Sequence, residues 1–302
     1  MQQLDDQARP PFSPEVEQLL KAFHAQTPIR AWSMIITIFG DCVMPRGGTL
    51  WLGSLTRIME AIDIGPGVVR TAMSRLAADN WLDRSKVGRN SYYRLTDKGA
   101  ETFKGATRRI YFETTRSWDG QWIIGFLASG SDRATRREEL LGRGYGAIAP
   151  NVVVRPYTGV LPDSDPQNCV FSTIDGLGPN AWTLAEQGWP LEKISEGYHE
   201  FLEHYRAIDE ALVSGQSFSQ LESLIIRIML IHDFRRLVLR DPLLPPSALP
   251  KNWPGDAARQ LSARIYHRVM EASEMWLDSR AEGEYGPLPA PDFDFYRRFN
   301  AL

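Results

Sequence analysis

The sequence predicts an α+β chain, on three observations. Between Gly65 and Leu95 an amphipathic helical pattern with an arginine-bearing outer face runs straight into a short basic hairpin. Strand, helix and three further strand patterns follow between Trp122 and Ile174. From Trp182 onward the pattern is helical. The chain therefore divides into three expected domains, residues 28–106, 116–176 and 180–302.

Two helical patterns open the first domain: Ala31, Met34, Ile35 and Ile38, then Leu52, Leu55, Met59 and Ile62. Ile62 to Gly65 make the turn, and Gly65, Pro66 and Gly67 stop one helix and start the next. In the third pattern Val69, Ala72, Met73 and Leu76 fall at i, i+3, i+4 and i+7, one buried stripe. Arg70, Thr71, Ser74 and Arg75 then face outward together. Such a face suits a DNA major groove, because the arginines reach guanine edges or phosphates while Thr71 and Ser74 are too short to hold the helix off. After Leu82, the segment DRSKVGRNSYYRL puts Gly88, Arg89 and Asn90 at a hairpin tip, charged by Lys86, Arg89 and Arg94. Helix, turn, helix and basic hairpin in that order predict an N-terminal winged helix-turn-helix. The plainer alternative is a small α/β unit whose charged face is merely solvated.

Composition frames this reading. The chain has 302 residues, 43% of them hydrophobic, enough for a substantial core. Its net charge of −3 is unevenly spread: residues 30–109 carry 13 Lys and Arg against 7 Asp and Glu, leaving that span at +6 and the remainder at −9. Only the N-terminal domain has the electrostatic footprint of a polyanion partner. Two cysteines, Cys42 and Cys169, are too few and too far apart for a disulfide scaffold or a cysteine metal site. With no basic-then-apolar leader and no run long enough to span a bilayer, a cytoplasmic protein without membrane contact is expected.

In the second domain Trp122 to Leu127 is a buried strand pattern, and a helix entered at Ser131 or Asp132 closes at Gly142. Ala147 to Ala149, Val152 to Val154 and Cys169 to Ile174 complete the strands. A second helix between Arg155 and Asn168 would make this ferredoxin-like, but YTGVLPDSDPQN, with Gly159 and two prolines, is a poor helix. A reduced ferredoxin-like central domain is the expectation. In the helical C-terminal domain, Leu191, Ile194, Tyr198, Phe201, Leu202, Tyr205 and Ile208 trace one stripe. Phe218 to Arg240 is apolar nearly all round at Leu224 to Ile231, the signature of a central helix. Asp241-Pro242 and the paired prolines force an extended turn. Another helix follows Pro254, with Leu261, Ile265 and Val269 buried. The tail from Tyr285 to Phe299 is expected to clamp onto the domain surface.

No constellation makes a catalytic set. His199 and His204 flank a run resembling a zinc-protease motif, but five residues diverge by about 140° on a helix, so they cannot chelate one metal in the usual way. His232, beside Asp233, Arg235 and Arg236, is first a core histidine with a structural ion pair. LGRGYG lacks the Lys-Ser or Lys-Thr pair of a phosphate loop. Trp51, Trp81, Trp118 and Trp122 read as core and joint aromatics.

Along nearly its whole length the sequence resembles the phenylacetate-catabolism transcriptional repressors of the PaaX type. The likeness rests on RGGTLWLGSL with GPGVVRTAMSRLAADNWLDRSKVGRNSYYRLTDKG, on WDGQWIIGFL, on LGRGYGAIAPNVVVRP and on MLIHDFRRLVLRDPLLPPSALPKNWPGDAARQL. The last is the most family-specific. The resemblance implies a homodimeric repressor that binds double-stranded operator DNA and is released by an aryl-coenzyme A thioester, typically phenylacetyl-CoA, with no cofactor. One departure is the shortened helix between Tyr157 and Asn168. A coenzyme A ligand brings phosphates that arginine grips bidentately, which singles out Arg133, Arg136, Arg137 and Arg143 on the central helix, a solvated face being the ordinary alternative. Arg136, Arg137, Arg235 and Arg236, beside apolar helix faces, are the expected effector contacts. Two other functions stay open: a winged-helix regulator of another metabolite, and a metal-dependent nuclease. The nuclease needs a carboxylate at the end of its first strand, which QWIIGFLASG lacks; Asp132 lies beyond it and Asp119 precedes it.

Overall fold

A computed structural model describes residues 11–25, 30–112, 118–175 and 181–300. It is a mixed α+β chain with small antiparallel sheets. The backbone groups into two compact units: Met1–Phe112 with Phe201–Arg235 and Ala258–Leu302, and Glu113–Glu200 with Arg236–Ala257. The helices read from the sequence as one C-terminal domain thus contribute residues to both.

In the first unit, α1 (Pro14–Ala25) and α2 (Ala31–Ile38) are followed by a π-turn at Phe39–Val43, β1 (Thr49–Trp51), α3 (Leu52–Glu60), α4 (Pro66–Ala78), β2 (Leu82–Val87), β3 (Asn90–Leu95) and α5 (Asp97–Thr107). Neither α1 nor β1 was anticipated. The strand β3 is central, pairing antiparallel with β1 (Leu50 opposite Tyr93) and β2 (Ser85 opposite Tyr92). The apolar stripes lie where their spacing puts them: Met34, Ile35 and Ile38 of α2, Leu55 and Met59 of α3, and Val69, Met73 and Leu76 of α4 are buried.

A charged node sits inside this unit. Asp41, fully buried, accepts from Arg227 Nε at 2.6 Å, Arg298 Nη1 at 2.9 Å, Tyr111 Oη at 2.7 Å and Tyr266 Oη at 3.0 Å. Burial pushes its carboxyl up, but the two guanidinium groups and two hydroxyls outweigh burial and hold it below the ordinary carboxylate range. Arg227 lies on α9 (Gln220–Val238), whose residues Leu224 to Ile231 are all buried, as the all-round apolar pattern requires. Arg227 also pairs with Glu274 of α10 (Gly255–Arg280), and Arg46 bridges Glu274 and Asp278. The tail lies against this unit, exposed at Tyr285, Phe293 and Tyr296 while Leu288, Phe295, Arg298 and Phe299 are buried, and Arg298 reaches the interior carboxylate.

In the second unit, β4 (Trp122–Leu127), α6 (Arg133–Gly142), β5 (Gly146–Ala149), β6 (Val152–Pro156) and β7 (Cys169–Ile174) form an antiparallel sheet of order β5-β6-β4-β7. No helix lies between β6 and β7. The two faces of the sheet are packed separately. Ile123, Leu127, Val153 and Cys169 meet Leu140 of α6 and Tyr145. Trp122 and Val154 point the other way, against Ala185 of α7 (Ala181–Gly188), Trp189, Leu191, Leu244 and Ala248. The alternation is the period-2 pattern of strands covered on both sides. The helix α8 (Leu191–Val213) contributes to both units and carries the predicted stripe, with Ile194 and Tyr198 buried in the second and Phe201, Tyr205 and Ile208 in the first.

Candidate nucleic-acid interface

The turn between α3 and α4 is built by two buried isoleucines. Ile62 and Ile64 anchor it, Ile64 N–H donates to Met59 O at 2.9 Å, and Asp63 between them takes a left-handed φ of 58°. Pro66 then opens α4 at its first turn, where a missing N–H costs nothing. At the far end Asn80 turns left-handed (φ 57°), Asn80 N–H donates to Ala77 O at 3.1 Å and Trp81 N–H to Leu76 O at 2.9 Å. These two bonds are a Schellman cap, and they aim the chain into β2.

With Val69, Met73 and Leu76 turned inward, Arg70, Thr71, Ser74 and Arg75 are all exposed on one face of α4. Thr71 Oγ1 donates to Gly67 O at 3.0 Å. Arg75 makes only a loose exposed pair with Asp79 at 3.7 Å, which leaves it free to exchange partners. Alongside the face a groove of about 880 Å³ is lined by Arg30, Trp32, Val68, Thr71 and Arg75. Neither Arg30, which precedes the first apolar stripe, nor the partly exposed Trp32, which falls between its members, was singled out by sequence.

The hairpin turns through two residues, Gly88 and Arg89, with Gly88 at φ 61° supplying the positive φ such a turn needs at its first position. Lys86, Arg89 and Arg94 are exposed on it, and Arg94 sits 3.7 Å from Asp83. Arg84 joins them, its Nη2 donating across the hairpin to Ser91 Oγ at 2.8 Å. Sequence reading passed over Arg84 as one more charge in a polar strand. Thr96 ties hairpin to helix: its Oγ1 donates to Asn80 O at 2.8 Å and accepts from Gly99 N–H at 3.1 Å, capping α5.

The four arginines expected at an effector divide between the two units, Arg235 in the first and Arg136, Arg137 and Arg236 in the second. Arg136 lines an open pocket of the second unit with Arg143 and Arg155. Arg137 pairs loosely with its neighbour Glu138, and Arg236 is exposed. Arg235 belongs to the first unit, where its Nε donates to Thr37 Oγ1 and its Nη2 to Ser33 O, each at 2.7 Å. The buried His232 shares that hydroxyl, its Nδ1 lying 3.0 Å from Thr37 Oγ1. His199 and His204 are exposed on α8. Among the described residues no three His, Cys, Asp or Glu side chains come together as a metal site, and no helix is long and apolar enough to cross a membrane.

Comparison with known proteins agrees with the sequence resemblance. Residues 30–99 match the family described as PaaX-like protein, and residues 189–279 match the PaaX-like protein C-terminal domain. The chain is 34% identical over 291 residues to the transcriptional repressor PaaX of Escherichia coli (strain K12), covering 91% of this chain and 92% of that protein. The solved structure of the uncharacterized protein Rv0674 from Mycobacterium tuberculosis superposes with a TM-score of 0.49 at 24% identity, covering 73% of this chain and 90% of that one. With a relative so similar across almost its full length, the chain belongs to the PaaX-like family.

Proposed function

We propose that this protein is a ligand-controlled transcriptional repressor of aromatic-acid catabolic genes, a winged-helix DNA binder released from its operator by an aryl-CoA thioester such as phenylacetyl-CoA. The observation that carries the reading is the outward face of α4: Arg70, Thr71, Ser74 and Arg75 stand exposed together, beside a hairpin carrying Arg84, Lys86, Arg89 and Arg94. A helix presenting two arginines between short hydroxyl side chains suits a major groove, and the hairpin is the wing that meets the flanking backbone. Supporting it are the +6 charge of residues 30–109 and the E. coli relative, itself named a transcriptional repressor.

In this reading the sheet of order β5-β6-β4-β7 is a ferredoxin-like domain lacking its second helix. The effector is bound by arginines, of which Arg136, Arg137 and Arg236 are the candidates still facing outward or lining a pocket. The repressor acts as a homodimer, since one helix offers too few base contacts for selectivity. The deciding experiment is a footprint on the DNA upstream of the protein's own gene, with and without aryl-CoA thioesters. A protected site that clears when phenylacetyl-CoA is added is expected. Specific cleavage of nucleic acid in the presence of divalent metal would instead favour a metal-dependent nuclease. Protection insensitive to every aryl-CoA thioester would leave a winged-helix regulator of another metabolite.

A further inference from the structure

We propose that the pocket between α6 and the 157–168 segment binds the phosphate groups of a nucleotide-like ligand. Identifying that ligand with the coenzyme A end of the effector rests on the function proposed above. The face of the sheet that carries α6 is only half covered by it. Residues 157–168, with no helix of their own, close over the rest and leave a pocket of about 680 Å³, a size suited to a small ligand. Gly125 of β4 makes the floor flat: a Cβ there would lie 2.8 Å from the Phe171 ring, which packs over the strand. The segment is pinned at its far end, where Ser164 Oγ accepts from Phe171 N–H at 2.8 Å.

Three polar atoms around this pocket are buried with no partner among the described residues: Tyr145 Oη, Arg155 Nε and Arg136 Nε. Tyr145 is the most telling, because the residue is 3% exposed and its hydroxyl bonds no described residue. A buried hydroxyl or guanidinium N–H left unmatched is costly, so a built protein rarely leaves three together unless something else supplies the acceptor. Arg155 stacks over the Tyr145 ring at 4.8 Å, and Arg136 is held by its Nη2 donating to Ala128 O at 3.3 Å. Arg143 completes a set of three cations around one cavity.

The acidic groups lining the pocket do not neutralise them. Asp165 is turned into its own loop, accepting from Gln167 N–H at 2.9 Å and from Asn168 Nδ2. Among the described residues neither Asp163 nor Glu139 forms an ion pair with Arg136, Arg143 or Arg155. Arg136 and Arg155, each with a buried Nε that has no acceptor among the described residues, stand with Arg143 around one cavity, a set of cations matched by the phosphate groups of a nucleotide.

Titration calorimetry of the full-length protein with adenosine 3′,5′-bisphosphate tests this. Arg143→Gln and Arg155→Gln are each expected to weaken binding about 10- to 100-fold, and Tyr145→Phe a few-fold. Lys193→Gln, exposed on α8 and outside the pocket lining, should change nothing. Because the Tyr145 hydroxyl has no partner to lose among the described residues, Tyr145→Phe should melt no lower than the wild type, which separates a ligand role from a packing role. Failure of the bisphosphate to bind, equal binding by all variants, or inorganic phosphate competing as tightly as the nucleotide would each overturn the proposal. So would weaker operator binding by the variants without nucleotide, since that would make the pocket a DNA-backbone contact. If phenylacetyl-CoA released operator from the arginine variants as readily as from wild type, the pocket would fall and the effector reading stand. If the bisphosphate bound in an arginine-dependent way while phenylacetyl-CoA left the operator occupied, the pocket would stand and the effector reading fall.

Discussion

Asp41 shows how much one side chain can hold. Its carboxylate is shared by Arg227 and Arg298, and removing the negative charge leaves two guanidinium groups facing each other in a dry interior. Breaking such an arrangement costs about 3–5 kcal/mol. Asp41→Asn is therefore expected to lower stability by that order in chemical denaturation at pH 7. Since the folded carboxyl is held below its unfolded value of about 3.9, its contribution is fully present above that value and is lost as pH falls toward the folded pKa. The gap between wild type and Asp41→Asn should stay constant above about pH 5 and narrow below about pH 4. On the exposed side, Arg70→Ala or Arg75→Ala should cost about 1–3 kcal/mol at the operator with relaxed preference at one base pair. Arg89→Ala and Lys86→Ala should weaken binding on all sequences and flatten its salt dependence, as phosphate contacts do. An Arg89→Ala protein that bound normally at every salt concentration would rule out the hairpin as a DNA contact. Arg235, engaged by Ser33 and Thr37, is expected to lower the melting temperature when replaced by Ala while leaving induction intact.

The joints between secondary structures are equally open to test. Thr96 caps α5 and holds the end of α4 through Asn80, so Thr96→Ala should cost about 1–2 kcal/mol and loosen the hairpin relative to the helix before it. Hydrogen exchange at Gly99 and in β2 would show both effects. What could be read from the chain follows the same physics. The strands β4 and β7 begin and end where the sequence puts them, because an apolar run such as WIIGFL bounded by polar turns has one reading. The α4 stripe was legible for the same reason. By contrast β1 is three residues long and exists only because β3 offers it a free edge, a fact no local pattern carries. Arg155 was invisible as a pocket residue, since a charge at the end of a valine run looks like a strand terminus until Tyr145 is seen beneath it. The arginine partners of Asp41 lie 186 and 257 residues away, beyond any periodicity.

Taken as a whole, the chain is expected to work in pairs and to be switched by linkage. A twofold dimer doubles the base contacts and demands half-sites about one helical turn apart, or a multiple of it. A monomer by light scattering at micromolar concentration, binding a single half-site with full affinity, would reject this. If a thioester weakens operator binding by some factor, operator DNA must weaken thioester binding by the same factor. Measuring thioester affinity with and without an operator duplex checks that equality directly.

The partnership of Asp41 and Arg298 also sets a clock on biosynthesis. A ribosome adding roughly 5–20 residues per second makes Arg298 about 13–50 s after Asp41, 257 residues earlier. Throughout that interval the α2 to α5 segment has been made but lacks one of the two guanidinium groups that pair with its interior acid. The interior of that segment therefore stays uncompensated until Arg298 is made, and its packing is expected to lock only then. Ribosome-tethered chains halted before Arg298 should be cut by protease within residues 30–112 and should not retain operator DNA, while chains released through Arg298 should resist and bind.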